Sequence, residues 1–245
     1  MPSDTAIYRR LQRHLDRQAI GFPASRSGTD IRFLRRLFDP DEARRALHLS
    51  YQPAATDRIA QKAAAEFPEE QTRKLLDSML MKGAIAWKEK DGTGCWFLLP
   101  LVVGMYESQD GHPTLAFLND VDAYMNSPGF GASFLAVKPP QMRTVPINKS
   151  IPVEHHVATY DQIRAVIQAS PGPFVVLPCI CREGKALHGK PCTRTLRKET
   201  CLAMDAAAAM ILRRKHGRAV TRDEATAILQ QNEDEGLVLQ PANSR

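Results

Sequence analysis

The chain has 245 residues, of which 43% are apolar and 24% charged, and that balance excludes a wholly disordered, collagen-like or low-complexity protein. Its 33 Lys and Arg against 27 Asp and Glu give a net charge of +6, which permits a nucleic-acid or acidic-protein partner without demanding one. No apolar run approaches the ~20 residues of a membrane helix, and the N-terminus lacks the apolar core of a secretory signal. The expectation is a cytoplasmic protein with no membrane insertion.

Ser3 to Ile20 has helical spacing, with Ile7, Leu11, Leu15 and Ile20 apolar and arginines between them. Residues 1–45 hold ten Arg and no Lys against six acids, a charge expected on a solvated helix face. After the loop GFPASRSGTD, Thr29 or Asp30 is placed to cap a helix carrying Ile31, Leu34, Leu37 and Phe38. Asp39 then reads as an N-cap, Pro40 as the first helical residue, and Asp41 and Glu42 as acids at the positive end of the helix dipole. A second short helix starts at Thr56. A third opens at Phe67-Pro68, carries Leu75, Leu76, Met79 and Leu80, and ends at Gly83. Ala84–Lys88 and Cys95–Leu99 read as two strands around a KDGTG turn.

Three short helices followed by a β-hairpin resemble a winged helix-turn-helix over residues 39–107. The third helix has Glu69, Glu70 and Asp77 against Arg73, Lys74 and Lys82. That neutral balance is unlike a phosphate-facing element, so DNA is the less favoured partner. Residues 108–156 are read as an irregular linker, although Thr114–Met125 has helical spacing. In the last third, Thr159 caps a helix, Phe174–Leu177 is a buried strand, and Cys201 stands at the start of an Ala-rich helix whose N-terminus would add donors to the cysteine site. Thr221 with Glu224 forms a capping box for a final helix. The fold class is therefore mixed α/β of the α+β kind. Its parts are an N-terminal helical arm (1–38), the winged-helix-like module, the linker, and a cysteine-rich module (157–245).

The informative block is PCICREGKALHGKPCTRTLRKETC. Cys179, Cys181, Cys192 and Cys201 are spaced C-x-C-x10-C-x8-C, four of the five cysteines of the chain. In a reducing compartment such a density points to metal binding or catalysis rather than disulfides. Four thiolates suit either a tetrahedral zinc ion or a [4Fe–4S] cluster. Structural zinc favours C-x2–4-C knuckles, and a C-x-C pair needs the chain to bend between its sulfurs. The flanking charges, Arg182, Lys185, Lys190, Arg194, Arg197 and Lys198 against Glu183 and Glu199, offset an anionic cluster. Cys95, on the presumed wing strand, is read as packing.

The block C-x-C-R…C…E-T-C, with GFPASRSGTDIRFLRRLFDPDEARRALHLSY, LLPLVVGMYESQ and GRAVTRDEATAILQQNEDEGLV, resembles bacterial and archaeal 4Fe-4S ferredoxin-type proteins of anaerobes over almost the whole chain. The resemblance implies Cys179, Cys181, Cys192 and Cys201 as ligands of one [4Fe-4S] cluster, with Arg182 and Glu199 as matching cofactor-site residues. Relatives of that type continue past the position of Asn243 into further cysteine motifs, whereas this chain stops at Arg245, so one cluster is expected. The implied function is electron transfer with a protein redox partner. The alternatives are a cluster-gated winged-helix regulator, a zinc-stapled interaction module, and a three-ligand cluster with an open iron for catalysis. His155-His156 and His188 are weak ligand candidates, and no nucleotide-binding or hydrolase motif occurs.

Overall fold

In the computed structural model the described residues are 2–18, 20–64, 66–109, 113–137 and 160–240. The chain is mixed helix and sheet and divides into two units, residues 1–137 and 138–245.

The first unit opens with α1 (Pro2–Asp16), α2 (Thr29–Leu37) and α3 (Pro40–Ala46). Ile7, Leu11 and Leu15 of α1 are buried, as their spacing predicts, and Tyr8 joins them. The cap of α2 differs from expectation: Gly28 holds that position, while Thr29 and Asp30 lie buried inside the helix. Asp30 is accommodated there by Arg9 at 2.6 Å. Tyr8 donates to the Phe38 carbonyl at 2.7 Å and the His14 ring meets the Leu49 carbonyl at 2.7 Å. The expected separation of an arm from a following module is therefore not seen, because α1 packs directly on α3.

The unit continues with β1 (Ala54–Ala55), α4 (Thr56–Lys62), α5 (Glu69–Met81), β2 (Ile85–Lys90) and β3 (Thr93–Leu98). The three strands form an antiparallel sheet ordered β1-β3-β2. Lys90 faces Thr93, leaving Asp91 and Gly92 as a two-residue turn with φ of 50° and 72°. Positive φ at both positions is what a hairpin of this twist requires, and Asp-Gly supplies it cheaply. At the end of α5, Gly83 and Ala84 donate to Leu80 and Met79 carbonyls at 2.8 and 2.9 Å, closing the helix as expected.

One carboxylate joins α3 to α5. Glu42 is 1% exposed. It accepts from the Asp39 amide at 2.8 Å, the Ser78 hydroxyl at 2.6 Å and the Lys82 ammonium at 2.8 Å. A buried carboxylate is tolerable only when its oxygens are this fully partnered.

The expected linker is corrected over its described part. Residues 115–135 form α6 (Leu115–Met125) and α7 (Pro128–Leu135), capped by Thr114 and Ser127 side chains. The Pro-Gly string that reads as a breaker is a helix start, with Pro128 where no amide hydrogen is needed. Phe117, Tyr124 and Phe130 from these helices meet Phe22 and Phe33 in one aromatic cluster. The remainder of that stretch, with His155-His156 and the Thr159 cap, lies outside the described residues.

The second unit comprises α8 (Tyr160–Ala169), β4 (Phe174–Pro178), α9 (Ile180–Leu187), β5 (Glu199–Met204), α10 (Asp205–Arg213), β6 (Arg218–Val220) and α11 (Arg222–Asp234). β4 is the centre of an antiparallel sheet ordered β5-β4-β6. Ile167, Phe174, Ala225 and Leu229 form its core against Ile163, Leu202 and Val220. Thr221 caps α11 through the Glu224 amide at 3.1 Å, but the Glu224 carboxylate turns to Arg218 at 2.6 Å instead of closing the expected box. Gly217 follows α10 with φ of 62°, and a Cβ there would stand 2.6 Å from Val175 Cγ1 and 2.9 Å from the Val176 carbonyl oxygen.

Both tryptophans, Trp87 and Trp96, lie on β2 and β3, so tryptophan fluorescence follows the first unit alone. In urea titrations read this way, Glu42→Ala loses about 2–4 kcal/mol, because it strands the Ser78 hydroxyl and the Asp39 amide and leaves Lys82 with Asp39 alone. Removing the exposed Lys74–Glu70 pair by Lys74→Ala changes stability by less than about 0.5 kcal/mol.

Candidate metal centre

The buried strand β4 runs straight into the cysteine block. Cys179 is the N-cap of α9, and its carbonyl accepts from the Arg182 and Glu183 amides at 3.0 and 2.9 Å. The bend that a C-x-C pair needs is this strand-to-helix turn, which puts Cys181 in the first turn of α9. The Cys179 amide donates to the Lys198 carbonyl at 3.2 Å, pinning the turn to the segment that leads into β5.

Cys201 is not at a helix start. It lies in β5 opposite Leu177 of β4, and the Ala-rich helix begins four residues later at Asp205. Strand pairing up to Met204, which faces Phe174, prevails over local helix preference here. The helix N-terminus at this site is therefore that of α9. The ladder slips between Leu177 and Pro178. Thr200 sits at this bulge, and its hydroxyl accepts from Arg182 at 3.4 Å.

Cys179 is the shared neighbour of two other thiols. The Cys181 and Cys201 thiols hydrogen-bond to the Cys179 sulfur, and the Arg182 and Cys181 amides point at it as well. These donors outweigh burial and hold the Cys179 thiol far below its ordinary range. Cys192 is held separately. The Thr195 and Arg194 amides and the Arg182 guanidinium attend its sulfur and lower its pKa. Arg182 thus serves both sulfurs, the first with its amide and the second with its side chain, which also donates to the Thr195 carbonyl at 2.7 Å. None of the cysteines is disulfide-bonded. Among the described residues, no group of three or more His, Cys, Asp or Glu side chains is arranged to hold a metal ion.

Glu199 accepts from Arg218 at 3.0 Å, an ion pair that spans the sheet from β5 to β6. Its carboxylate braces the sheet. His188 is exposed at the end of α9. Cys95 is buried on β3 in the other unit.

Sequence reasoning counted Arg197 only as loop charge. It clamps the cysteine loop to α11, donating to Glu235 at 2.8 Å, to Asn232 at 2.7 Å and to the Glu199 carbonyl at 2.9 Å. Asn232, itself buried, donates in turn to the Thr200 carbonyl at 3.1 Å. Its partners lie more than thirty positions away, so no local pattern marks the clamp. Set against family models, curated proteins and solved structures, the chain matches none of them.

Thiols with lowered pKa bind fewer protons folded than unfolded. Their stabilisation is complete above the ordinary thiol value of about 8.5 and is lost as pH falls through the folded values. In metal-free protein, the pH midpoint for iodoacetamide labelling of Cys192 lies below that ordinary value. Arg182→Ala moves it upward, read by mass spectrometry of the labelled peptide.

Proposed function

We propose that the second unit is an iron–sulfur module. In this reading Cys179, Cys181, Cys192 and Cys201 hold one [4Fe-4S] cluster, and the protein exchanges single electrons with a protein redox partner in the cytoplasm. The carrying observation is the convergence of Cys179, Cys181 and Cys201 at the start of α9, with Cys192 tethered by the same Arg182. Four thiols supplied by a strand end, a helix turn, a loop and a neighbouring strand suit a bulky cluster better than a zinc knuckle.

When bound, the cluster supplies the one-electron chemistry. The residues of the chain do the rest. The amides of Cys181 and Arg182 donate to sulfur and favour the more negative state, as does the positive end of α9. The Arg182 guanidinium adds a fixed cation. Arg197 holds the loop in place from α11. Cys181 and Cys201 are exposed, which leaves one edge of the site open to a partner.

In the first unit, the run α3–β1–α4–α5–β2–β3 supports a winged-helix module, through its helix order, its β1-β3-β2 sheet and its Asp91-Gly92 hairpin. Its third helix, α5, neutralises its own charges in the pairs Lys74–Glu70 and Arg73–Glu69. In the proposed reading this module docks the redox partner.

Anaerobically purified protein contains about four irons and four sulfides per chain and absorbs broadly in the visible, bleaching with dithionite. Cys179→Ser, Cys181→Ser, Cys192→Ser and Cys201→Ser each lower the iron content. Arg182→Gln keeps the iron but lowers the midpoint potential in film voltammetry. Stoichiometric zinc without iron, lost in the same cysteine variants, is the result that would falsify the cluster reading.

A further inference from the structure

The arginines of the first unit fall into two groups. Several are neutralised internally: Arg9 by Asp30 at 2.6 Å, Arg32 and Arg36 by Asp120 at 2.9 and 3.1 Å, and Arg44 by Asp41 at 2.6 Å. Arg35 donates to Thr5 at 2.7 Å and lies over the Tyr8 ring. Arg10, Arg13 and Arg17 are different, a property they share with Arg26 of the following loop. They are exposed and make no ion pair or hydrogen bond among the described residues. Arg10 and Arg13 are three apart on α1, and Arg17 follows directly after it at i+7 from Arg10. Helical geometry puts all three on one stripe opposite the buried Leu11 and Leu15.

Other cations gather around His14 of the same helix. His14, next to Arg13, reaches the Leu49 carbonyl at the end of the α3 region. His48 there lies within electrostatic reach of His14, Lys62 of α4 and Arg45, with Glu66 the acid of the group at 4.0 Å. Beneath them Arg45 is fully buried under the Phe67 ring, 4.3 Å from its centre, and its guanidinium nitrogens have no hydrogen-bond partner among the described residues. Its positive charge is met by the Glu66 carboxylate through space and by the Phe67 ring face rather than by a hydrogen bond. These cations of three elements outnumber the acids beside them, Asp16, Asp57 and Glu66, and the net positive face suits an external polyanion.

We propose that this face of α1, the end of α3 and α4 binds the phosphodiester backbone of duplex DNA. Positions 10 to 17 span ~10 Å along a helix, enough for the three guanidinium groups to reach more than one backbone phosphate. Guanidinium forks, of which this segment has many and lysines none, match phosphate oxygens two at a time. Single-stranded binding needs a row of exposed aromatics for stacking. Only Tyr51, whose amide contacts Gln18, offers an exposed ring beside the stripe. The surface lies on the opposite functional element from the one that winged-helix analogy suggests, because α5 is internally paired. Its role is to position the chain on the backbone without reading sequence.

The test is fluorescence anisotropy with the full chain, purified anaerobically, and a short labelled duplex between about 50 and 200 mM salt. Wild type binds with a steep linear dependence of log affinity on log salt. The triple variant Arg10→Gln/Arg13→Gln/Arg17→Gln changes only exposed groups, and its folding is checked by circular dichroism. It loses at least about tenfold in affinity at low salt, and its slope falls by roughly 2–3, about 0.9 per lost phosphate contact. The control Arg73→Gln/Lys74→Gln on α5 stays within twofold of wild type. Absence of salt-dependent binding, equal loss in the α5 control, or polyglutamate competing as well as duplex would each overturn the proposal. These results do not depend on iron content, so they stand or fall apart from the cluster reading.

Discussion

A thiolate out of bulk water needs donors, and the second unit meets that need with backbone rather than side chains alone. Cys179 sits where β4 ends and α9 begins, so the first amides of the helix point toward its sulfur. Everything else at the site follows from that turn. The strand is fixed because Val175 and Val176 are fully buried between two neighbours. The helix starts where it does because Cys179 must leave the strand. Cys201 comes within reach because β5 pairs with the same strand. Arg182, one turn into α9, then gathers the Cys192 loop that the sheet does not hold.

The first unit solves a similar problem with one buried acid. Glu42 begins as a helix-start residue whose carboxylate closes on the Asp39 amide. Its burial is acceptable because α5 returns two donors, Ser78 and Lys82, from one side of a single turn. Lys82 also bonds Asp39 at 2.8 Å, so the same ammonium ties down the residue that caps α3. In both units a helix N-terminus supplies donors, and a basic side chain from a distant segment locks the arrangement.

These cases explain what was legible in the sequence. Amphipathic spacing marks α1 and α5, Asp39-Pro40 marks the start of α3, and Asp-Gly marks the hairpin, because each signal acts over a few residues. The cysteine block stands out in the sequence as a candidate site because four thiols within one short stretch are rare in a chain of this kind, while the separate hold on Cys192 by Arg182 is set by the fold. What failed was decided by distant partners. Thr200 and Cys201 precede an Ala-rich run and take strand geometry because β4 offers a ladder. Ser127-Pro128-Gly129 begins a helix because Phe130 has aromatic neighbours to join. Asn232 and Glu235 look like the polar end of a helix and are anchors for Arg197.

Arginine pairing separates framework from surface. Arg9, Arg182 and Arg197 each end on acceptors inside their own unit, and such contacts lose little to salt when partly buried. Arg10, Arg13 and Arg17 are exposed and make no ion pair among the described residues, so their charge is available to a partner. For the thiol site the consequence concerns electron transfer. Donors already held by backbone and by Arg182 need little movement when a bound centre gains negative charge, and fixed dipoles of this kind favour the reduced state without reorganising. In the proposed cluster reading, the fixed donors around the Cys179 sulfur supply the rigidity an electron carrier uses.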